Sequence, residues 1–469
     1  MDYKSINFKC GIECHQQLET HKLFCKCQSI VNDASKPDIF FERKLHISAG
    51  ELGTKDIAAL HEIKKGKTFF YEACSISSCL LELDQEPPRE VNQDALKASL
   101  EISLLLNAKI IPNIQFMRKV VLDGSNVSGF QRTALVATDG YIETSKGKVG
   151  IDVICLEEEA AKKINEDSNS TTYRLDRLGI PLVEIATGSS IKDPDHAKEV
   201  AGIIGMILRS TGKVKRGIGS IRQDINLSIQ NKPRIELKGF QDLRSIPKVI
   251  ENEISRILSL KEYQSEVRRV NQDLTTTFLR PMPGSSRMYP ETDHKTITIT
   301  KEMLNKIKIP ELLTHKAMKL EKEFKINPDL ALGMVEDEDY FRLLADRFKN
   351  IQPSIIIHSI VELPKEAKSR FNYSASNDEI ESILELLNEN KITKDAMIKI
   401  LEDKSLGKEL SIKNYRPVDD STIKEEIKNI MASNKHLSPN ALMGIIMSKY
   451  KGKIDGKKTM EYIKKFIPV

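Results

Sequence analysis

The stretch Gly150-Ile151-Asp152-Val153-Ile154-Cys155-Leu156, followed directly by three glutamates, is typical of a β-strand in a mixed fold. Helical patterns intervene between such strands, at Asn92–Leu106 and Asp195–Ser210. Further short β-branched runs, bounded by turns, lie at Lys119–Leu122, Leu182–Ile185, Ile225–Ile229 and Arg234–Leu237. Together they predict an α+β domain over residues 1–293, built as a large cradle on an antiparallel sheet.

Beyond Asp293 the apolar spacing becomes helical, and Pro310, Pro328 and Pro353 mark joints between helices. We expect an all-α domain over residues 294–375. A capping box at Ser376–Glu379 starts a third, all-α unit over residues 376–469.

The charge of the chain is nearly balanced. Its 469 residues carry 72 Lys plus Arg against 67 Asp plus Glu, for a net charge of +5. This excludes a histone-like polycation. No apolar run approaches the ~20 residues that span a bilayer, and the start of the chain has no signal-peptide pattern. We therefore expect no membrane partner.

Seven cysteines, an odd number, all lie in the first third of the chain. This argues against a disulfide framework and predicts a cytoplasmic location. The pairs Cys25-x-Cys27 and Cys74-x4-Cys79 supply four thiols for a zinc site. Four free cysteines are the alternative, and the spacing leaves both open.

Carboxylates next to or inside predicted strands are the first candidates for chemistry. Glu13 and His15 share one strand face, which suits a divalent cation or a shared proton, although an exposed polar face is the alternative. The Glu157–Glu159 triplet suits magnesium or a solvated helix start. Glu184 lies within an apolar strand and needs a partner there, either a cation or a structural arginine such as Arg177.

A second polar strand face follows two glycines. It combines a hydroxyl, a guanidinium, a carboxylate and an amide, and the next predicted strand adds a carboxylate and an ammonium group. These residues are Ser220, Arg222, Asp224, Asn226, Glu236 and Lys238. Side chains of these kinds can bind phosphate, a metal ion and a sugar. The alternative is that they form a solvent-exposed surface of the sheet.

Two motifs are incomplete. Gly66-Lys67-Thr68 resembles the end of a P-loop. A P-loop would also have a glycine at position 61, where this chain has His61, so the glycine-rich loop that binds phosphate is missing. The serines after Gly188 and Gly284 lack the surroundings of amidase nucleophiles. We therefore expect no ammonia-releasing site in this chain.

Seven segments together resemble one family, the B/E subunits of the tRNA-dependent amidotransferases, and its archaeal E branch in particular. The resemblance covers essentially the whole chain, and the end of the chain is similar to a YqeY-like tail domain. The segments are Gly11–Cys27, Arg118–Thr133, Leu156–Ala160, Arg174–Thr187, Gly217–Ile229, Ile235–Leu243 and Arg280–Asp293.

The resemblance implies an ATP-dependent ligase that acts on glutamate misacylated to tRNA(Gln). ATP phosphorylates the glutamyl γ-carboxylate, and ammonia then displaces the phosphate to give Gln-tRNA(Gln). The implied cofactors are ATP and Mg²⁺. The implied partners are Glu-tRNA(Gln) and an asparaginase-like D subunit that supplies the ammonia.

The resemblance also assigns roles to residues. It places His15, Glu158 and Glu184 among the magnesium ligands, with Glu13 beside them. It implies catalytic roles for these three and for Arg222 and Asp224. The residues that would line the ATP and phosphate region are Ser220, Arg222, Asn226, Glu236 and Lys238.

This chain departs from the family pattern in two places. Cys25 and Cys27 match half of a family zinc site, but the second pair is spaced differently. The synthetase-like domain usually inserted before Arg280 is absent, because a short stretch of about Leu260–Phe278 joins the preceding helix to the next motif.

Two other functions stay open on the sequence. One is a bacterial-type B subunit that is partnered by an amidase and also acts on Asp-tRNA(Asn). The other is a tRNA-binding scaffold without catalysis.

The basic residues gather at the C-terminal end. Residues 436–469 hold seven lysines against Asp455 and Glu461. Their alternative role is to keep the end of the chain soluble. In a tail that resembles a tRNA-contacting module, we expect them to contact phosphates. The candidates are Lys449, Lys451, Lys453, Lys457 and Lys458.

Overall fold

The fold is known from a computed structural model. It describes residues 1–31, 36–46, 57–230, 232–240, 242–260, 264–282, 288–408, 411–433, 438–450, 453–454 and 456–466, without the side chains of 431–433 and 457. The chain divides into two compact units, Met1–Leu312 and Leu313–Val469. The predicted boundaries at 293 and 375 stay predictions.

The first unit consists mainly of strands, with a few helices between them. In chain order they are β1 (Lys9–Gln17), β2 (Ile39–Arg43), β3 (Thr68–Ala73), β4 (Lys109–Ile110), β5 (Asn113–Ile114), β6 (Phe116–Val120), β7 (Phe130–Thr144), β8 (Gly147–Glu158), β9 (Lys162–Glu166), β10 (Ser170–Arg174), β11 (Pro181–Thr187), β12 (Ile221–Ser228), β13 (Ile235–Phe240), β14 (Glu266–Val270), β15 (Thr276–Pro281), β16 (Met288–Pro290) and β17 (Ile297–Thr298).

The helices fall into two groups, one in each unit. Those of the first unit are α1 (Ile57–Ile63), α2 (Gln93–Leu105), α3 (Pro194–Ser210), α4 (Ile246–Ser259) and α5 (Lys301–Asn305). Those of the second are α6 (Leu313–Phe324), α7 (Pro328–Met334), α8 (Glu338–Arg347), α9 (Pro353–Val361), α10 (Leu363–Phe371), α11 (Asn377–Asn388), α12 (Ala396–Ser405), α13 (Asp420–Ser433), α14 (Pro439–Lys449) and α15 (Gly456–Phe466).

One large sheet dominates the first unit. Its order is β15-β14-β13-β12-β1-β11-β8-β7-β6-β16, with β4 paired to β7. The neighbours run antiparallel except for β13 and β14, which are parallel. The expectation of an α and β chain with a large sheet is therefore confirmed. A smaller sheet has the order β2-β3-β10-β9, and β5 pairs with β17.

Strand alternation decides which face of the large sheet is apolar. Ile12, Ile185 and Ile225 alternate with polar neighbours and join one core with the buried residues of α2, α3 and α4. Asn92 caps α2 by accepting from the backbone amides of Asp94 and Ala95. The helices thus cover one face of the sheet, and the polar side chains point to the other.

The second unit is helical throughout the part that the structure describes. The predicted capping box is confirmed at α11, where Ser376 and Glu379 bond each other's backbone amides. Ser438 caps α14 and is followed by Pro439. Ile427, Leu442 and Ile463 centre a separate small core between α13, α14 and α15. No helix within the described residues has the length and apolar character to cross a bilayer.

Candidate active site

The polar face of the large sheet lines a cleft of about 640 Å³. Its walls come from β1, β6, β8, β11, β12, β13 and β15, so segments far apart in the sequence meet there. Carboxylates and cationic side chains both line the cleft. The charged residues that line it are Glu13, His15, Lys119, Asp123, Glu157, Glu159, Glu184, Arg222, Asp224, Arg234, Glu236, Lys238 and Arg280.

One group in the cleft joins an imidazole to two carboxylates. Donor atoms of His15, Glu157 and Glu184 all lie within 4.8 Å of one another, and His15 Nε2 is 3.6 Å from Glu184 Oε2. His15 and Glu184 are direct partners of β1 and β11, which places them side by side. Lys119 Nζ lies 3.0 Å from Glu157 Oε1 and 3.6 Å from Glu184 Oε2. Such a donor set suits a divalent cation.

The charges of this group depend on one another. Burial acts to raise the pKa of Glu184, but Lys119 and His15 outweigh it and hold that pKa well below its usual value. Burial acts to lower the pKa of His15, but its hydrogen bond and charge interaction with Glu184 leave it raised. Burial and the neighbouring Glu184 raise the pKa of Glu157. Lys119 and His15 therefore favour the charged form of Glu184, whereas burial and Glu184 disfavour the charged form of Glu157.

A second group lies next along β1, on β12 and β13. Donor atoms of Glu13, Asp224 and Glu236 lie within 4.8 Å of one another. Lys238 Nζ is 2.5 Å from both Asp224 Oδ2 and Glu236 Oε1, and these carboxylates outweigh burial and raise its pKa. The Asn226 amide donates to Glu13 Oε1 at 2.8 Å. Each acidic group thus holds one lysine ammonium.

Glu158 lies outside the group to which the resemblance assigns it. Side chains alternate along β8, so Glu158 follows Ile154 and Leu156 onto the helix-covered face, and Glu157 points into the cleft. There Glu158 is buried against Arg132, whose backbone amide donates to Glu158 Oε2 at 3.2 Å and whose Nη1 lies 3.3 Å away. In the structure, the residue that lies beside His15 and Glu184 is therefore Glu157 and not Glu158.

The third glutamate of the triplet holds an arginine. Arg222 Nη2 donates to both oxygens of Glu159, at 2.8 and 2.9 Å, and Gln17 Nε2 donates to one of them at 3.1 Å. Burial acts to raise the pKa of Glu159, but Arg222 and Arg177 outweigh it and lower that pKa. Arg177, suggested as a partner for Glu184, instead lies near Glu159 at 3.9 Å. Glu159 therefore orients Arg222 at the edge of the cleft.

Two predicted phosphate-binding residues are engaged elsewhere. Ser220 lies just before β12, and its hydroxyl donates to the Gly217 carbonyl at 2.8 Å. Asn226 holds Glu13, as described above. The structure therefore brings Arg222, Asp224, Glu236 and Lys238 to the cleft and gives Ser220 and Asn226 supporting contacts.

Three of the four predicted cysteine ligands come together, and a carboxylate joins them. Donor atoms of Cys25, Cys27, Cys79 and Glu82 lie within 4.8 Å of one another. Cys25 Sγ donates to Glu82 Oε1 at 3.1 Å, and burial raises the pKa of Cys79 to about 11. Cys74 lies apart, with its thiol 3.8 Å from the Lys36 carbonyl. All seven cysteines are unpaired.

The tail lysines are partly engaged in surface ion pairs. Lys449 pairs with Glu426 and Lys458 with Asp420, and both lysine side chains stay about half exposed. Lys453 lies within the described residues, whereas Lys451 and the side chain of Lys457 lie outside them. Their predicted phosphate contacts stay a prediction.

Reasoning from the sequence missed several residues of the cleft and of the cysteine group. They are Lys119, Arg234, Arg280 and Glu82, whereas Glu157 and Glu159 enter the prediction only as members of the Glu157–Glu159 triplet. Lys119 precedes a β-branched run, and Glu82 follows Cys79 by three residues, but neither spacing distinguishes these residues from ordinary surface charges.

Comparison with known proteins identifies one family. A family model described as the GatB/GatE catalytic domain matches residues 8–305. The chain is 35% identical to the E subunit of the glutamyl-tRNA(Gln) amidotransferase of Methanocaldococcus jannaschii, 32% to that of Methanosarcina acetivorans and 31% to that of Archaeoglobus fulgidus. These alignments cover 99% of this chain and 99%, 98% and 98% of the relatives.

The alignment with the M. jannaschii protein runs over 625 residues, although this chain has 469. A long internal part of that protein thus has no counterpart here, in agreement with the missing insertion. All three relatives are named as E subunits, which favours the archaeal interpretation over a bacterial-type B subunit. Since the family model spans more than half of its length, this chain belongs to the GatB/GatE family of amidotransferase subunits.

Proposed function

We propose that this chain is the subunit of a Glu-tRNA(Gln) amidotransferase that phosphorylates the glutamyl γ-carboxylate with ATP and passes the activated group to ammonia. The observation that carries the proposal is the pair of cation-ligand groups in one cleft, around His15 and around Glu13. The names of the relatives give the substrate, Glu-tRNA(Gln).

The chemistry requires this kind of site. A carboxylate is a poor acylating group, and phosphorylation turns one of its oxygens into a leaving group. The transition state of phosphoryl transfer spreads negative charge over several oxygens, so cations and positive donors in the cleft stabilise it more than a covalent nucleophile would. Arg222, Lys119 and Lys238 supply positive charge from three strands.

The donor set fits Mg²⁺. His15, Glu157 and Glu184 would hold one ion, and Glu13, Asp224 and Glu236 a second. When bound, Mg²⁺ supplies charge that neutralises phosphate oxygens. The carboxylates stay aligned because Lys119, Lys238 and the Asn226 amide hold them from the side.

The ammonia comes from another subunit in this proposal. The sequence carries no complete amidase motif, so we infer an asparaginase-like D subunit as the partner. An all-α, YqeY-like tail beyond residue 376, with its basic end, would contact the tRNA. These assignments belong to the proposal, as does a cytoplasmic location, which suits an enzyme acting on tRNA.

Glu184→Gln tests the proposal. We expect it to lower the rate of γ-carboxylate phosphorylation by about 10²–10³-fold, because a neutral amide no longer offers a charged ligand. The full chain is incubated with ATP, Mg²⁺, Glu-tRNA(Gln) and free ammonium, so no ammonia-producing partner is needed. ADP and Gln-tRNA are measured, and tRNA binding is followed separately and should persist.

Glu143→Gln, on the exposed end of β7, is the matched control and should leave both products unchanged. Failure of the unchanged protein to form ADP and Gln-tRNA would contradict the proposed function. Equal rates for Glu184→Gln and the control would contradict the assigned role of Glu184.

We also propose that Cys25, Cys27, Cys79 and Glu82 form the zinc site. Structural zinc sites have four ligands in tetrahedral arrangement, and these four donors already lie together. Purified protein should contain about one zinc ion per chain by elemental analysis. Cys25→Ser should lose it, and Cys74→Ser should retain it. Loss of zinc in both variants, or in neither, would contradict this ligand set.

A further inference from the structure

The cationic side chains of the cleft fall into two classes. Three of them are held by carboxylates: Lys119 by Glu157 and Glu184, Arg222 by Glu159, and Lys238 by Asp224 and Glu236. Two arginines, Arg234 and Arg280, also line the cleft, and neither forms an ion pair with any residue that the structure describes.

Arg280 lies on β15, where the shortened segment of this chain ends. It pairs with Val267 of β14, which pairs with Glu236 of β13, so Arg280 continues the row of side chains that carries the second carboxylate group. Its Nε is buried without a hydrogen-bond partner. Arg234 directly precedes β13 and is exposed at the mouth of the same cleft.

A buried N–H without a hydrogen-bond partner is unfavourable, so this donor at the cleft wall is suited to a ligand that accepts a hydrogen bond from it. A guanidinium presents parallel donors that match two phosphate oxygens. We propose that Arg280, assisted by Arg234, binds a phosphate group of the substrate. This rests on the proposed function, which brings two polyanions to the cleft: a nucleoside triphosphate and the acceptor end of a tRNA.

The test measures binding and needs no turnover. Calorimetry with Mg²⁺ and a non-hydrolysable ATP analogue forms one arm, and filter binding of deacylated tRNA(Gln) forms the other. Arg280→Gln should weaken one of the two at least tenfold. Arg280→Lys, which keeps the positive charge but loses the parallel N–H donors of the guanidinium, should weaken binding of the same probe less. Arg269→Gln, exposed on β14 and outside the cleft lining, is the matched control.

Arg234→Gln guards against a folding defect, because this arginine is exposed. It should weaken the same arm several-fold with an unchanged thermal unfolding curve. The arm that responds identifies the nucleotide or the tRNA as the source of the phosphate. Binding of both probes within twofold of the unchanged protein, in Arg280→Gln and Arg234→Gln alike, would overturn this inference. If the unchanged protein binds neither probe, the proposed function falls, and this inference with it.

Discussion

Replacing Glu157 by glutamine will slow phosphorylation of the glutamyl γ-carboxylate by the folded protein by about 10²–10³-fold. Glu157 points into the cleft with its oxygen 3.0 Å from Lys119 and within reach of His15 and Glu184. An amide keeps the shape of the side chain and removes the charge that a divalent cation needs. Single-turnover transfer of labelled γ-phosphate measures the effect.

Glu158→Gln is the comparison that makes this result decisive. Glu158 is buried against Arg132 on the other face of the sheet, so its loss should lower the free energy of unfolding by on the order of 3 kcal/mol. Phosphoryl transfer by the folded fraction should persist. The opposite pattern, with an inactive but stable Glu158→Gln and an active Glu157→Gln, would return Glu158 to the metal group.

Glu291→Gln will cost about 3–5 kcal/mol of stability. The Glu291 carboxylate is fully buried, accepts from Arg118 Nη2 at 2.5 Å and Arg132 Nε at 2.7 Å, and thereby ties the chain around β16 to β6 and β7. Removing the negative charge leaves two guanidinium groups without this partner. Urea unfolding at neutral pH measures the loss.

The same carboxylate predicts a pH dependence. Burial acts to raise the pKa of Glu291, but Arg118 and Arg132 outweigh it and hold it at about 2. Because the folded pKa lies below the ordinary value of 4.5, the stabilisation is complete above that value and is lost as the pH falls towards 2. Glu291→Gln should lack this part of the acid destabilisation.

Asp293→Asn is the matched control for Glu291→Gln. It contacts the same Arg118, at 2.9 Å, but its side chain is 51% exposed. An exposed ion pair contributes about 0–1 kcal/mol, so this variant should change little. Equal losses from both variants would show that burial of Glu291 does not determine its contribution.

The sequence predicts the polar faces of the sheet because the side-chain period of a strand is two. Glu13 and His15 both lie on the polar face, and Asp224 lies on the face that Ile225 does not occupy. The same period explains why Glu158 lies apart from His15 and Glu184. In a run of three glutamates, neighbours point to opposite faces, so the assignment depends on the phase of β8, which only its pairing fixes.

Other parts of the site depend on contacts between distant segments. Glu82, and not Cys74, lies in the cysteine group because folding brings residues 25 and 82 together. The spacing of the cysteines in the sequence does not indicate that a carboxylate lies among the thiols. Arg280 reaches the cleft through the β14–β15 hairpin at the edge of the sheet. A single sequence states neither the order of the strands nor the parallel pairing of β13 with β14.

The two lysines that lie among carboxylates contact the same oxygen atoms that a divalent cation would bind. A divalent cation that enters either group meets Lys119 or Lys238 already neutralising the same oxygens. A bound cation would compete with the ammonium group for these carboxylates, and that ammonium would then be best satisfied by an anion such as phosphate. Cation and phosphate would then each favour the binding of the other, because such coupling is reciprocal.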